Sequence, residues 1–449
     1  MEFKISKELI KELEQLIQSK NDQQLEVLLN DMHHADIAEV LDELDFDEAT
    51  YIFKVLDSEK TAEILLELED DLRENILGRL SPKEIAEELD ELETNDAADI
   101  IGELSKEKKA EVISELQDVE HAKDIVELLR YKEDTAGGLM HKELVKVNEN
   151  WTVFTCIKEM RIQAENISRV HSIYVVDDEN KLLGRLSLKD LLTTSSKTPI
   201  SEVYIKKLNS VMVDTEDVEV ARIMQKYDLE AIPVTDELDR LVGRITIDDI
   251  IDVIKDEADK DYQLAAGITN DIESNDSVYE LIKARLPWLL IAMVIEIVAS
   301  FVLKGNEDMF EKFSTLIIFV PLLSATAGNI GVQASAIVVQ GLANGTLKNY
   351  SRSYFSKELR VSMTSGSIIS LFLLGYHSIM YQQYLVGFAI SISMVVVILF
   401  AATLGTLVPL FLHRKKIDPA IATGPFITTS NDVFGIIIYF WIARLILGY

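Results

Sequence analysis

The chain has 449 residues, with 76 Asp and Glu against 44 Lys and Arg, and a formal net charge of −32. A surface this acidic attracts cations and repels nucleic-acid phosphates, so nucleic-acid binding is excluded. Residues 281–449 hold only seven of the acids and twelve of the basic residues, which predicts an acidic body in water followed by a hydrophobic unit.

The first 130 residues carry an internal repeat of twelve residues. A second apolar position precedes each repeat position by three residues, and the repeat positions are Leu44, Leu56, Leu68, Leu80, Leu92, Leu104, Leu116 and Leu128. The spacing of three is helical, and each unit is too short to be a stable helix alone. Residues 1–130 are therefore predicted to be an all-α superhelical repeat domain, in which neighbouring helices stack around a shared core.

A second repeat, with a spacing of 59 residues, follows. The segments that begin at Ile173 and Ile232 each read as strand, turn, a second strand ending in Gly-Arg, and helix. This pattern resembles a pair of CBS modules, here residues 131–200 and 201–254. The resemblance implies an α/β fold that usually occurs in tandem and often binds adenine nucleotides.

Each of these modules contains a Ser/Thr-x-x-Asp motif. In the CBS family this motif can hold a ribose, which by resemblance assigns ATP or AMP to Ser187 with Asp190, or to Thr246 with Asp249. The alternative is that the four residues only cap their helices.

Residues 247–280 are predicted to form an acidic amphipathic helix that leads into the hydrophobic unit. Isoleucines at helical spacing provide its apolar stripe. Its acids crowd fourteen residues: Asp248, Asp249, Asp252, Asp256, Glu257, Asp259 and Asp261. Such a helix is placed to press on the mouth of a pore, and a solvated linker is the alternative.

Five apolar stretches follow, about Leu286–Leu303, Phe313–Leu342, Val361–Met380, Leu385–Leu412 and Pro425–Tyr449. Each reaches the roughly 17–25 residues that a spanning helix needs, so residues 281–449 are predicted to be a membrane domain with five transmembrane helices. Basic residues follow the second and fourth stretches. The positive-inside rule therefore places the N-terminal body in the cytoplasm and the C-terminus outside, in a multi-pass protein of the cell membrane.

Asp432 lies in the last apolar stretch. A carboxylate inside a bilayer costs roughly 2.5–3.5 kcal/mol and usually has a function there. Thr428 and Asn431 are polar neighbours of Asp432 in the sequence, and Mg²⁺ prefers oxygen ligands and gives up its waters reluctantly. The alternative is that Asp432 lies hydrated at the membrane edge.

The parts in this order resemble the MgtE family of magnesium channels. Matching strings are YKEDTAGGLM from Tyr131, GNIGVQAS from Gly328, IDPA from Ile417 and GPFITTSNDVFG from Gly424. The resemblance implies a homodimer in the lipid bilayer, with a central pore in which Asp432 faces the ion, and it implies that Asp418 lies near the inner mouth. Thr428 and Asn431 could then fill the second shell of the ion.

The resemblance also implies that cytosolic Mg²⁺ closes the pore, so that Mg²⁺ is both transported and regulatory. Ions would bridge acids of the repeat domain, the CBS pair and the acidic helix, and so stabilise a compact closed state. The implied bridging residues are Asp99, Glu216, Asp228, Asp249, Asp252, Glu257 and Asp261. Asn95 and Lys260 stand where acids would be expected.

Two other functions fit parts of the sequence. A CBS-based adenine-nucleotide sensor at the membrane would use the modules but would leave Asp432 without a role. A carrier or channel for Co²⁺, Mn²⁺ or Ca²⁺ would keep transport and change the ion. An enzyme is not expected, because the sequence has no P-loop, nucleophile–base pair or phosphorylation-type Asp motif.

Overall fold

The computed structural model describes residues 5–167, 169–269, 272, 276–347, 352–422 and 424–449. The chain divides into two compact units, Met1–Ile254 and Lys255–Tyr449. The first unit holds short helices and two small sheets, and the second holds long apolar helices. This architecture confirms the predicted fold class: a helical repeat domain, tandem α/β CBS modules and a helical region suited to a membrane.

The repeat domain consists of short helices, most of which begin at a capping Ser, Asn or Asp. At α7, for example, Ser81 and Glu84 form a complete capping box. The helices are α1 (Lys7–Gln18), α2 (Asp22–Asn30), α3 (His34–Asp42), α4 (Phe46–Phe53), α5 (Ser58–Glu67), α6 (Asp70–Arg79), α7 (Pro82–Leu89), α8 (Thr94–Glu103), α9 (Lys106–Glu115) and α10 (Val119–Leu128).

The twelve-residue repeat forms the core of this domain. Leu41, Leu65, Leu89 and Ile101, which lie three residues before repeat positions, are all fully buried. Helices pack on the next helix but one, as in α3 with α5, α5 with α7 and α8 with α10. The repeat therefore places one apolar stripe per helix against its neighbours, as the spacing predicts.

A four-residue helix, α11 (Ala136–Leu139), leads into the paired modules. The first module contains β1 (Val145–Asn148), α12 (Val153–Gln163), β2 (Ile173–Val176), β3 (Leu182–Leu186) and α13 (Leu188–Thr193). The second contains β4 (Val211–Met212), α14 (Asp217–Tyr227), β5 (Ala231–Thr235) and β6 (Leu241–Thr246).

Each module has a three-stranded sheet in which the first pair of strands is parallel and the second antiparallel. The two hairpins meet through backbone hydrogen bonds from Leu182 N to Asp239 O and from Leu241 N to Asn180 O. The two modules therefore make equivalent contacts with each other.

The acidic helix α15 (Ile247–Ala266) begins directly after β6. Ile250 on this helix is buried, whereas Ile251 and Ile254 are exposed. The predicted stripe of isoleucines is therefore only partly covered within the chain.

In the described part of the second unit, five helices are long and apolar enough to cross a membrane. Among them α20 is the most buried and packs against α18, α19 and α21, whereas α16 is almost entirely exposed and packs against α21. The five helices are α16 (Val278–Lys304), α18 (Thr315–Ala343), α19 (Arg352–Tyr381), α20 (Tyr384–Arg414) and α21 (Pro425–Leu447). A short helix, α17 (Glu307–Lys312), connects α16 to α18.

Candidate functional site

Three of the five apolar helices bring polar side chains together. Asp432 on α21 lies beside Glu296 on α16 and Ser324 on α18, close enough for both side chains to influence its carboxylate. Glu296 is exposed, and Asp432 and Ser324 are half-buried. These three residues form what we call the intramembrane cluster. Two acids this close repel each other when ionised, so the cluster favours a cation.

The other polar residues near the start of α21 have different environments. Thr428 is half-buried and lies one turn before Asp432 on the same face, where its hydroxyl donates to the Pro425 carbonyl oxygen at 3.0 Å. Asn431 is fully buried between helices, and its Nδ2 donates to the Ala327 carbonyl oxygen at 3.4 Å. A Cβ at Gly331 would collide with the Asn431 amide, so Asn431 fills the space that this glycine leaves. The structure thus places Thr428 on the face of Asp432 and Asn431 in the packing between α18 and α21.

The end of α15 lies against the start of α21. A Cβ at Gly424 would collide with the Ala265 carbonyl oxygen, so the two backbones are in direct contact. One turn earlier on α15, Asp261 lies near Asp418, whose Oδ1 accepts a hydrogen bond from Ala420 N at 2.8 Å. Burial, together with repulsion from Asp418 and Glu257, raises the pKa of the Asp261 carboxyl to about 6. An acid held under such repulsion is suited to binding a cation.

A further group of acids lies in the first unit, around α8. Burial, with repulsion from Glu133, Asp249 and Glu103, raises the pKa of Asp99 to about 7. Asp99 and Glu133 line a cavity of about 110 Å³. The structure therefore brings together two carboxylates around a space large enough for an ion with some of its water.

Asp249 is fully engaged inside the first unit. Its Oδ2 accepts hydrogen bonds from the Thr246 hydroxyl at 2.6 Å, from Thr246 N at 3.0 Å and from His141 Nε2 at 2.7 Å. Its Oδ1 accepts from Asn95 Nδ2 at 3.3 Å. The Thr246–Asp249 pair therefore caps a helix, which is the alternative considered for this motif.

Three of the predicted bridging residues lie apart from these groups. Glu216 precedes α14 and Asp228 follows it, so the two acids lie at opposite ends of one helix and both are exposed. Asp252 is exposed on the first half of α15. The structure does not bring these three residues together within one chain.

The Ser187 motif differs from the Thr246 motif. Ser187 makes no capping hydrogen bond to α13, and both Ser187 and Asp190 line an open cavity of about 600 Å³. Arg185, Lys189 and His171 also line it, and Ile173, Leu186 and Ile205 give it apolar walls. Its size and its mixture of basic and apolar groups suit a nucleotide.

Sequence reasoning missed two residues that the structure brings to these sites. Glu296 is a lone acid in an apolar stretch, the same signal that identified Asp432. His141 carries no motif of its own, because its partners Glu93 and Asp249 are distant in sequence and only the fold brings them together.

These features define a multi-span membrane protein whose water-soluble part pairs a helical repeat domain with two CBS modules. The family described as "MgtE intracellular N domain" matches residues 32–134, and the CBS domain family matches residues 136–197 and 200–256. The family described as "MgtE: Divalent cation transporter" matches residues 320–442.

Curated relatives agree with these matches. The chain is 35% identical over 333 residues to the magnesium transporter MgtE of Enterococcus faecalis, covering 74% of this chain and 73% of the relative. It is 35% identical over 332 residues to the protein of the same name from Thermus thermophilus, covering 72% of each. The chain therefore belongs to the MgtE family of magnesium transporters and is a membrane protein.

A solved structure resembles the first unit. It is the cytosolic domain of the Mg²⁺ channel MgtE in complex with ATP, 34% identical, with a TM-score of 0.51, and the match covers 54% of this chain and 99% of that one.

Proposed function

We propose that the chain forms a homodimeric Mg²⁺ channel whose ion path passes the intramembrane cluster. The observation that carries this proposal is the meeting of Glu296, Ser324 and Asp432 from three membrane-spanning helices. An acid exposed on a spanning helix costs roughly 2.5–3.5 kcal/mol when it faces lipid. A second copy of the chain that encloses Glu296 in a water-filled path removes this cost.

Magnesium suits the chemistry of this cluster. In a dimer two Asp432 carboxylates would balance the charge of the ion, and Ser324 and Thr428 hydroxyls would contact its retained waters. The three cluster residues offer only oxygen ligands, with no thiol or imidazole among them to favour zinc or copper. Asn431 would support the ion path in one of two ways, by offering its buried Oδ1 as an acceptor or by fixing the packing of α21 on α18. Channels or carriers for Co²⁺, Mn²⁺ or Ca²⁺ remain the alternative within transport.

Cytosolic Mg²⁺ would close this path by binding where α15 meets α21. Asp261, Glu257 and Asp418 gather beside that contact, and the repulsion between them is relieved by a cation. Because Mg²⁺ would bind the closed arrangement more tightly than the open one, it would stabilise the closed state.

Further Mg²⁺ ions would act in the water-soluble part, which we place in the cytoplasm with the C-terminus outside. Asp99 and Glu133 offer one site within the chain. Glu216, Asp228 and Asp252 would take part only through contacts with other surfaces, such as those of a second copy. Both oxygens of Asp249 already accept hydrogen bonds within the chain.

The cavity lined by Ser187 and Asp190 would bind ATP or AMP. Arg185 and Lys189 supply positive charge for phosphates, and the Asp190 carboxylate can accept from a ribose hydroxyl. The relative whose cytosolic domain was solved with ATP supports a nucleotide in this module pair. The nucleotide would regulate transport. A nucleotide sensor that transports no ion would leave the intramembrane cluster without a role.

Uptake into proteoliposomes tests the transport proposal. Protein reconstituted with an internal Mg²⁺-sensitive dye is expected to pass Mg²⁺ down its gradient, and Asp432→Asn is expected to abolish the uptake. Thr326→Val is the matched control, because Thr326 is on α18 and its hydroxyl donates within its own helix, to the Leu322 carbonyl oxygen at 2.7 Å. Equal uptake in wild type and Asp432→Asn would overturn the proposal.

A further inference from the structure

The repeat domain meets the second CBS module at a junction of buried and half-buried polar side chains. Glu93, Thr94 and Asn95, at the start of α8, lie on one side. The opposite side holds His141, Glu143, Arg244 and Asp249. His141 precedes the strands of the first module in sequence, but its backbone is bonded to the second module. It exchanges two hydrogen bonds with Arg244 on β6, from His141 N to Arg244 O at 2.7 Å and from Arg244 N to His141 O at 3.0 Å.

The imidazole of His141 lies between carboxylates from the two sides. Its Nδ1 is 2.7 Å from Glu93 Oε2, and its Nε2 is 2.7 Å from Asp249 Oδ2. Nε2 is hydrogen-bonded to Asp249, and Nδ1 makes an ion-pair contact with Glu93. Two carboxylates this close to one ring favour the imidazolium cation over the neutral imidazole. Burial alone would lower the pKa of His141, but its hydrogen bonds to Asp249 and Glu93 outweigh burial and raise that pKa to about 10.

Glu93, His141 and Glu143 could each offer one ligand atom to a metal ion, because these atoms lie within 4.8 Å of one another, but a protonated His141 ring has no lone pair to give. Both oxygens of Asp249 accept hydrogen bonds, from Thr246, His141 and Asn95. The Glu143 oxygens accept from Thr94 N at 3.1 Å and from the Thr94 hydroxyl at 3.0 Å. Mg²⁺ requires near-octahedral oxygen ligands and would compete with these hydrogen bonds for the same carboxylates.

A second buried cation, Arg244, contacts the same carboxylate of the repeat domain as His141 does. Arg244 is 3% exposed, and its Nη2 lies 3.3 Å from Glu93 Oε2. The guanidinium and the imidazolium therefore share one carboxylate of the repeat domain. Positive charge supplied by two buried side chains further opposes entry of a divalent cation.

We propose that His141 is a built-in cation that joins the repeat domain to the second CBS module, in the place where a bridging divalent ion would otherwise be needed. This inference rests on the proposed gating by Mg²⁺ and refines it. The contact between Glu93 and Asp249 persists when Mg²⁺ is absent. The response to Mg²⁺ then belongs to other acids, such as Asp99 and Asp261.

Hydrogen–deuterium exchange of the full chain in detergent micelles tests this proposal. The observable is the exchange rate of amides in α8, with EDTA and with Mg²⁺. In wild type, removing Mg²⁺ is expected to change this rate less than twofold. In His141→Gln with EDTA, the rate is expected to rise at least tenfold, because Gln carries no charge and cannot reach both carboxylates.

Two further variants keep the test decisive. Glu93→Gln removes the partner on the repeat domain while His141 and Asp249 stay paired, and it is expected to loosen α8 in the same way. His34 is a half-buried histidine of the same domain, on α3, and His34→Gln is the control that is expected to leave the exchange of α8 unchanged. Unchanged exchange of β2 and β3 in each variant establishes that the protein is folded.

Either of two results would overturn the proposal: a tenfold rise in wild-type α8 exchange on adding EDTA, or wild-type protection of α8 in both His141→Gln and Glu93→Gln. The readout does not depend on ion transport. A failure of the channel proposal in transport measurements is therefore distinguishable from a failure of this one.

Discussion

Glu296 on α16 and Asp432 on α21 place their carboxyl groups side by side, within two helices that are each long enough to cross a membrane. This contact connects α16, which is mostly exposed, to α21, which packs against other helices. In the proposed channel both acids contribute negative charge to the ion path.

Replacing Glu296 by Gln is expected to slow Mg²⁺ uptake about tenfold, which corresponds to about 1.4 kcal/mol, because one of two neighbouring negative charges is lost. Asp432 remains, so uptake is reduced rather than abolished. Initial rates in proteoliposomes measure the effect. Glu311→Gln, an exposed acid outside the five spanning helices, is the control. Wild-type rates in Glu296→Gln would exclude Glu296 from the ion path.

Asp261→Asn is expected to make the protein more stable without Mg²⁺ and to weaken the inhibition of transport by Mg²⁺. Without Mg²⁺ the variant is more stable by about 1 kcal/mol, a figure reduced for solvent screening, because the pKa of Asp261 is raised to about 6 by burial and by repulsion from Asp418. With Mg²⁺ it loses a ligand, so inhibition of transport requires several-fold more Mg²⁺.

Thermal unfolding in EDTA and inhibition curves for uptake measure these two effects. Asp259→Asn, an exposed acid of the same helix, is the matched control and is expected to change neither. A variant at Asp261 that is less stable in EDTA would contradict the proposed repulsion.

Asp190→Ala is expected to weaken ATP binding by at least tenfold, because the Asp190 carboxylate lines the cavity of the first CBS module. Titration calorimetry of the full chain measures this affinity. Glu202→Ala, at an exposed acid that does not line the cavity, should bind ATP as wild type does. Equal ATP affinities for wild type and both variants would show that the nucleotide does not bind in this cavity.

Glu88→Gln is expected to stabilise the repeat domain at alkaline pH. Burial raises the pKa of Glu88 to about 7, although the Thr61 hydroxyl donates to it at 2.6 Å. Between the ordinary pKa and this raised value the folded state binds more protons than the unfolded state, so wild-type stability falls as pH rises.

The Gln variant does not lose this stability, so its advantage over wild type should be about 1–2 kcal/mol at about pH 8 and should shrink at about pH 5. Circular dichroism during thermal unfolding measures it. A difference between the two proteins that does not change with pH would show that Glu88 does not titrate in this way.

Features that depend on local periodicity could be predicted from the sequence. The twelve-residue repeat predicted buried stripes, and Leu65 and Leu89 are buried as expected. The five apolar stretches predicted five long helices. The start of the third was predicted at Val361, whereas α19 is helical from Arg352, because hydropathy does not detect the polar turns that precede Val361.

Features that depend on distant contacts could not be predicted. The two Ser/Thr-x-x-Asp motifs are equivalent in sequence, yet His141 packs on Asp249, whereas Asp190 lines an open cavity. Burial of Asn431 against Gly331 follows from helix packing that no local pattern encodes. Glu296, by contrast, was detectable, because a single acid in an apolar stretch is the signal that identified Asp432.

Magnesium current across membrane patches tests the central claim most directly. The cytoplasmic face would be stepped from zero to about 10 mM Mg²⁺, in the weak range expected of loose oxygen sites, for wild type and for Asp432→Ala. The account predicts a wild-type current that closes as internal Mg²⁺ rises and no current in the variant. A wild-type current that ignores internal Mg²⁺, or an undiminished current in Asp432→Ala, would contradict it.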